Sequence, residues 1–96
     1  MQKITTKFPN MRVLAVEDYM MNQEILEAML TQFECDFDVV DNNTEALSMH
    51  EENPYDVILM DIMVPDMDGL EATKRIRKFK SDASKAPIIA VTANAM

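Results

Sequence analysis

Four short apolar runs, at residues 11–16, 37–40, 57–60 and 88–91, are separated by segments whose apolar residues return at the helical period, and this alternation leaves few folds open to the chain. The runs are of strand length and rich in β-branched residues. The first, third and fourth are continuous rather than alternating in hydrophobicity, the pattern of strands covered on both faces and therefore of a parallel sheet. Between them, Ile25, Leu26, Met29, Leu30 and Phe33 form one apolar stripe with Glu24, Glu27 and Gln32 off it, which predicts a helix over residues 20–33. A weaker helix is expected over 44–52, with Ala46, Leu47 and His50 on one side and Pro54 beyond its end. A third is expected over 70–80, after the break at Gly69, with Lys74, Arg75, Arg77, Lys78 and Lys80 toward its dipole-negative end.

The resulting order, β-α-β-α-β-α-β with residues 92–96 entering another helix, requires right-handed crossovers and helices on both faces of the sheet. At 96 residues, 48% of them hydrophobic, the chain closes one small core. A net charge of −8 repels a phosphate backbone, so direct nucleic-acid binding is disfavoured and cations or basic protein surfaces are the expected partners. The single cysteine, Cys35, excludes an internal disulfide. No apolar run approaches the roughly 20 residues of a membrane span, and no apolar segment follows Lys3 and Lys7 as a secretory signal requires. The expectation is a cytoplasmic domain over residues 11–96, preceded by a lead-in or linker end over 1–10. Gly69 is the only glycine, which excludes both a P-loop and a dinucleotide fingerprint.

Two of the strands end on acids. Glu17 and Asp18 close the first and Asp61 closes the third, and in open α/β sheets ligands bind beyond the carboxyl ends of the strands. If these strands are neighbours, three carboxylates converge, and like charges that close either raise a pKa or hold a cation. Hard oxygen ligands with room for water suit Mg2+, which takes only one or two carboxylates from a protein. One carboxylate is then free to attack phosphorus and form an acyl phosphate. Thr92, at the end of the fourth strand, offers a hydroxyl to a phosphoryl oxygen, and Ala93 beside it leaves space.

The stretches VLAVEDYMMNQEIL, DVILMDIMVPDMDGLEATKRIR and PIIAVTANAM together resemble the receiver domain of two-component response regulators, especially those attached to hybrid histidine kinases. The resemblance implies an α/β, flavodoxin-like (CheY-like) doubly wound parallel sheet. The expected strand order, 2-1-3-4 without a fifth strand and last helix, comes from the family and not from the periodicity. It implies that Asp61 is the phosphoacceptor in a phosphorelay, that Asp18 binds Mg2+ directly and Glu17 through water, that the Met63 backbone carbonyl completes the protein's share of the metal shell, and that Thr92 is the switch hydroxyl. Pro65 and Gly69 match the loop after the phosphoacceptor, and Met63 and Asn94 the variable positions that tune acyl-phosphate lifetime. The implied partners are a histidine kinase or phosphotransfer protein and an output domain or downstream protein.

Tyr19 stands where this branch usually has Asn, and Val64 where Met usually precedes the proline. The sequence stops before the family's fifth strand, and with it go the lysine that grips the phosphoryl oxygen and the aromatic that reports phosphorylation. Lys85 lies upstream of the fourth strand and cannot replace that lysine. Two expectations follow: a fragment of a longer receiver, or, if the chain ends here, a homodimer or segment-swapped assembly through the exposed fourth strand. The alternative function is a phosphorylation-independent interaction or dimerisation module. A haloacid-dehalogenase-type phosphatase is set aside because Met63 stands where its second Asp is needed. Asp66 and Asp68 read as solvated loop acids, since Gly69 comes too early for an EF-hand. His50 reads as a partly buried packing residue rather than a phosphohistidine.

Overall fold

The computed structural model describes residues 7–61 and 66–91. The expectations attached to Met63, Val64, Pro65, Thr92 and Asn94, and to a helix entered at 92–96, lie outside these residues. Four strands, β1 (Arg12–Val16), β2 (Asp36–Val40), β3 (Val57–Asp61) and β4 (Ile88–Val91), alternate with helices α1 (Met20–Gln32), α2 (Asn43–Glu52) and α3 (Gly69–Arg77), and a short 3-10 helix, η1 (Asp82–Lys85), precedes β4. All strand pairs are parallel, in the order β2-β1-β3-β4.

Successive side chains of a strand point to opposite faces, so β1 feeds two cores. Leu14 and Val16 join Val40, Ala46, Tyr55, Ile58, Met60, Ala72 and Ile76 beneath α2 and α3. Val13 and Ala15 join Leu26 and Leu30 of α1 on the other face. Burial of each large aliphatic side chain contributes about 2 kcal/mol, which is why the continuous apolar runs of β1 and β3 form the centre of the sheet.

Three expectations change. The stripe on α1 is narrower than its sequence suggests: Leu26 and Leu30 are buried, whereas Ile25 and Met29 are 46% and 44% exposed. One helix laid on a flat sheet buries only the strip directly above it, and no described element covers the flank that carries Ile25 and Met29. Gly69 does not break the chain ahead of α3 but is its first residue, buried, with Asp68 as N-cap. The fourth run is not covered on both faces, since Ile89 and Ala90 of β4 are exposed among the described residues. Ahead of β1, Phe8 N–H donates to the Phe33 carbonyl at 2.8 Å, their rings meet at 5.8 Å, and Lys7 pairs with Glu34 at 3.2 Å.

His50 is fully buried and does more than pack. Its Nδ1 accepts the Tyr55 N–H at 3.1 Å, which leaves the ring proton on Nε2 to be donated to the Ala83 carbonyl at 2.8 Å. One imidazole thereby joins α2, the entry to β3 and η1. Among the described residues no helix is long and apolar enough to cross a membrane.

Candidate functional site

The β1–β3 register pairs Val16 with Met60, so the residues that follow, Glu17 and Asp61, lie side by side at the carboxyl edge of the sheet. Glu17 and Asp61 are buried, at 2% and 3% exposure, and Asp18 is exposed. One carboxylate oxygen from each of Glu17, Asp18 and Asp61 lies within 4.8 Å of the others. The strand ends thus bring together the three acids that the sequence singles out. Thr92 and Met63 lie outside the described residues, but β4 runs beside β3 with Val91 opposite Asp61, so Thr92 is next in sequence to the register partner of Asp61.

Glu17 is held on every side. Its N–H donates to the Val40 carbonyl at 2.9 Å, its carbonyl accepts Gln23 Nε2 at 2.6 Å, and its Oε2 accepts the Tyr19 N–H at 3.1 Å. Burial pushes its pKa up; the Tyr19 N–H works the other way, and the neighbouring Asp61 carboxyl raises it again. A raised carboxyl pKa means that negative charge at this edge is unfavourable without a counter-charge. The donor set therefore fits a small hard divalent cation: three carboxylates, two rigidly buried and one facing solvent, with their oxygens close enough to share one ion.

Asp66 and Asp68 are not merely solvated loop acids. Asp68 Oδ1 accepts the Glu71 N–H at 2.8 Å and caps α3. Asp66 reaches α2: Oδ1 accepts the Asn43 N–H at 3.1 Å, and Oδ2 accepts the Thr44 N–H at 2.9 Å and the Thr44 hydroxyl at 2.7 Å. Against the upward push of burial, the Thr44 hydroxyl and the amides of Thr44, Asn43 and Met67 bring its pKa down to about 2. Because the folded value lies below the unfolded one of 3.8, Asp66 contributes stability above that pH and loses it as pH falls toward 2. The spacing Asp68-x-x-Glu71 is a readable helix-start signal, as is Asn42-x-x-Glu45, where Asn42 Oδ1 accepts the Glu45 N–H at 2.7 Å. The Asp66 contact carries no such local signal. Lys85 stands at the start of β4, at the opposite end of the sheet from the acids, and is within 4.0 Å of Asp82.

Comparison with known proteins agrees with this geometry. Residues 13–96 match the response regulator receiver domain family. The chain is 41% identical over 91 residues to hybrid signal transduction histidine kinase I of Dictyostelium discoideum, covering 88% of this chain and 5% of the kinase. Among solved structures, the receiver domain of sensor histidine kinase PA1611 from Pseudomonas aeruginosa, with a magnesium ion coordinated in its active-site cleft, matches at TM-score 0.82 and 39% identity over 91% of this chain and 70% of that one. The receiver domain of Ssk1 from Saccharomyces cerevisiae, crystallised with the histidine phosphotransfer protein Ypd1, matches at TM-score 0.73 and 35% identity, over 88% of this chain and 63% of that one. With the sheet order, the acids at the strand ends and the sequence match in agreement, the chain belongs to the response regulator receiver domain family.

Proposed function

We propose that this domain accepts a phosphoryl group on Asp61 within a two-component phosphorelay, with Mg2+ held by Glu17, Asp18 and Asp61 and by the Met63 carbonyl. The observation that carries this reading is the approach of three carboxylate oxygens to within 4.8 Å at the ends of two adjacent parallel strands. An oxygen of Asp61 attacks phosphorus of a phosphohistidine; the P–N bond breaks as the acyl phosphate P–O bond forms, and the imidazole leaves. When bound, the cation offsets the charge on the transferred group. The chain's own residues fix Asp61 at the end of β3, exclude water from its inner side, and hold Glu17 still through the amide of Tyr19 and the carbonyl of Val40. Thr92 supplies the hydroxyl that engages the phosphoryl oxygen once it arrives.

The donor is a histidine kinase or a phosphotransfer protein, and the product is read by an output domain or a downstream protein in a cytoplasmic setting. Tyr19, Met20, Met21 and Ile25 are exposed at the N-terminal half of α1, next to the acids, and give a helical donor an apolar surface to dock on. The test is incubation with acetyl phosphate and Mg2+, followed by intact mass. One added phosphoryl group is expected in the wild type and none in Asp61→Asn; labelling that persists in the variant overturns the assignment.

A second reading, an interaction or dimerisation module, draws on β4. Among the described residues no strand pairs with its outer side, and Ile89 is 51% exposed there.

A further inference from the structure

The acid cluster is tied from two directions to the N-terminus of α2. On the β1 side, the Glu17 N–H donates to the carbonyl of Val40, the last residue of β2, at 2.9 Å, so the end of β1 is fastened to the point from which the chain departs toward α2. On the β3 side, the chain that leaves Asp61 arrives after residues 62–65 at Asp66, whose two oxygens accept three hydrogen bonds from Asn43 and Thr44, at 2.7 to 3.1 Å. The contact is returned, since Asn43 Nδ2 donates to the Met67 carbonyl at 2.7 Å. Asn43 is fully buried, and its Oδ1 has no hydrogen-bond partner among the described residues. The orientation of that amide is fixed, because the Met67 oxygen only accepts, and a turned amide would set oxygen against oxygen. A buried unpaired oxygen costs stability, so an Asn here is a poor choice for packing. It suits a residue whose task is to hold Met67, and with it Asp66, against the start of α2.

We propose that Asp66, with Asn43 and Thr44, is a positioning clamp for the phosphoacceptor site, which sets the affinity of the Glu17–Asp18–Asp61 cluster for a divalent cation and makes the start of α2 responsive to its occupancy. The proposal rests on the function given above. The clamp touches neither the cation nor the phosphoryl group. It acts by tying Asp66 and Met67, which follow Asp61 in the sequence, to the start of α2, close to the end of β2 on which the Glu17 N–H is fastened. Coupling of this kind is reciprocal: if the clamp tightens cation binding by some factor, cation binding tightens the clamp by the same factor.

The experiment compares wild type with Asp66→Asn, which removes the charge and one acceptor oxygen, and Thr44→Val, which removes one hydroxyl while keeping the shape. Ile76→Val in the core beneath α3 serves as a control that loosens packing without touching the clamp. Mg2+ dissociation constants are read by titration of backbone amide resonances, acyl-phosphate lifetime after acetyl phosphate treatment, and amide exchange at Asn43 and Thr44 with and without Mg2+. Asp66 bonds to none of the three acids and acts through α2, so a weakening of roughly threefold or more is expected for Asp66→Asn. A smaller weakening is expected for Thr44→Val and none for the control, with the Thr44 amide of the wild type slowed by Mg2+. Unchanged affinity and lifetime in both clamp variants overturn the proposal while leaving the phosphoacceptor reading intact, and so does an equal weakening in Ile76→Val. Should Asp66→Asn fail to fold, Thr44→Val decides. A wild type that neither binds Mg2+ nor accepts phosphate overturns the function itself, and the clamp with it.

Discussion

Glu17 is the residue on which charge presses hardest. Its carboxyl is buried against that of Asp61, so its pKa rises above the ordinary 4.5, mainly through burial. A carboxyl whose folded pKa exceeds its unfolded one takes up protons on folding. Stability without metal therefore falls as pH climbs from about 4.5 through the raised value. Glu17→Gln keeps the volume and the contact with the Tyr19 amide but removes the charge. In EDTA at neutral pH it is expected to unfold at a higher urea concentration than wild type, and the gap should close toward pH 4.5. Mg2+ at ten times its Kd should add about 1.4 kcal/mol to the wild type, and the same metal concentration should add clearly less to the variant. The three acids were legible in the sequence because each closes an apolar run, where a carboxylate has no packing role. Asp66 was not, because its partners are backbone amides of another element and D-M-D-G reads as a turn.

At the scale of elements, the strands and helices were readable from period and run length, and the departures have local causes. β1 and β3 lie where apolar side chains are covered on both faces, whereas β2 and β4 keep exposed residues. The start of α2 was placed late, at residue 44, although Asn42 is its cap and Asn43 its first residue. The short helix η1 was missed because Ser81 opens it with a single side-chain bond to the Ala83 amide at 3.2 Å and no apolar period repeats across four residues. The least secured helix start is that of α1, where Tyr19 is the N-cap and makes no side-chain cap hydrogen bond. The resemblance had marked this position as one where Asn is usual. Asn accepts a helical N–H at an N-cap, so Tyr19→Asn is expected to stabilise the protein by about 1 kcal/mol, read as an upward shift of the urea midpoint with unchanged slope.

At the scale of the molecule, the acids gather at one end of the sheet, and among the described residues no strand pairs with the outer side of β4. The sheet order came from the family resemblance and the helical coverage from the pattern. How much apolar surface stays uncovered was not legible, because exposure depends on which neighbours a helix or strand meets and not on its own sequence. Ile25 and Met29 are the clearest cases, whereas the exposure of Ile89 follows from the exposed fourth strand expected from the sequence. Edges of this kind invite pairing with a second copy. On the second reading, a dimerisation module, light scattering over a concentration series is expected to show a mass that rises toward the dimer in the wild type and stays monomeric in Ile89→Lys, which puts a charge on that strand. A wild type that remains monomeric throughout removes the fourth strand as a contact.

Val91 and Asp61 occupy the same rung of the β3–β4 ladder. Whatever grips the side of β4 that no described strand pairs with is thus one strand away from the proposed nucleophile. A strand-forming peptide selected for that flank would act as a remote handle on phosphate chemistry, without ever entering the cleft.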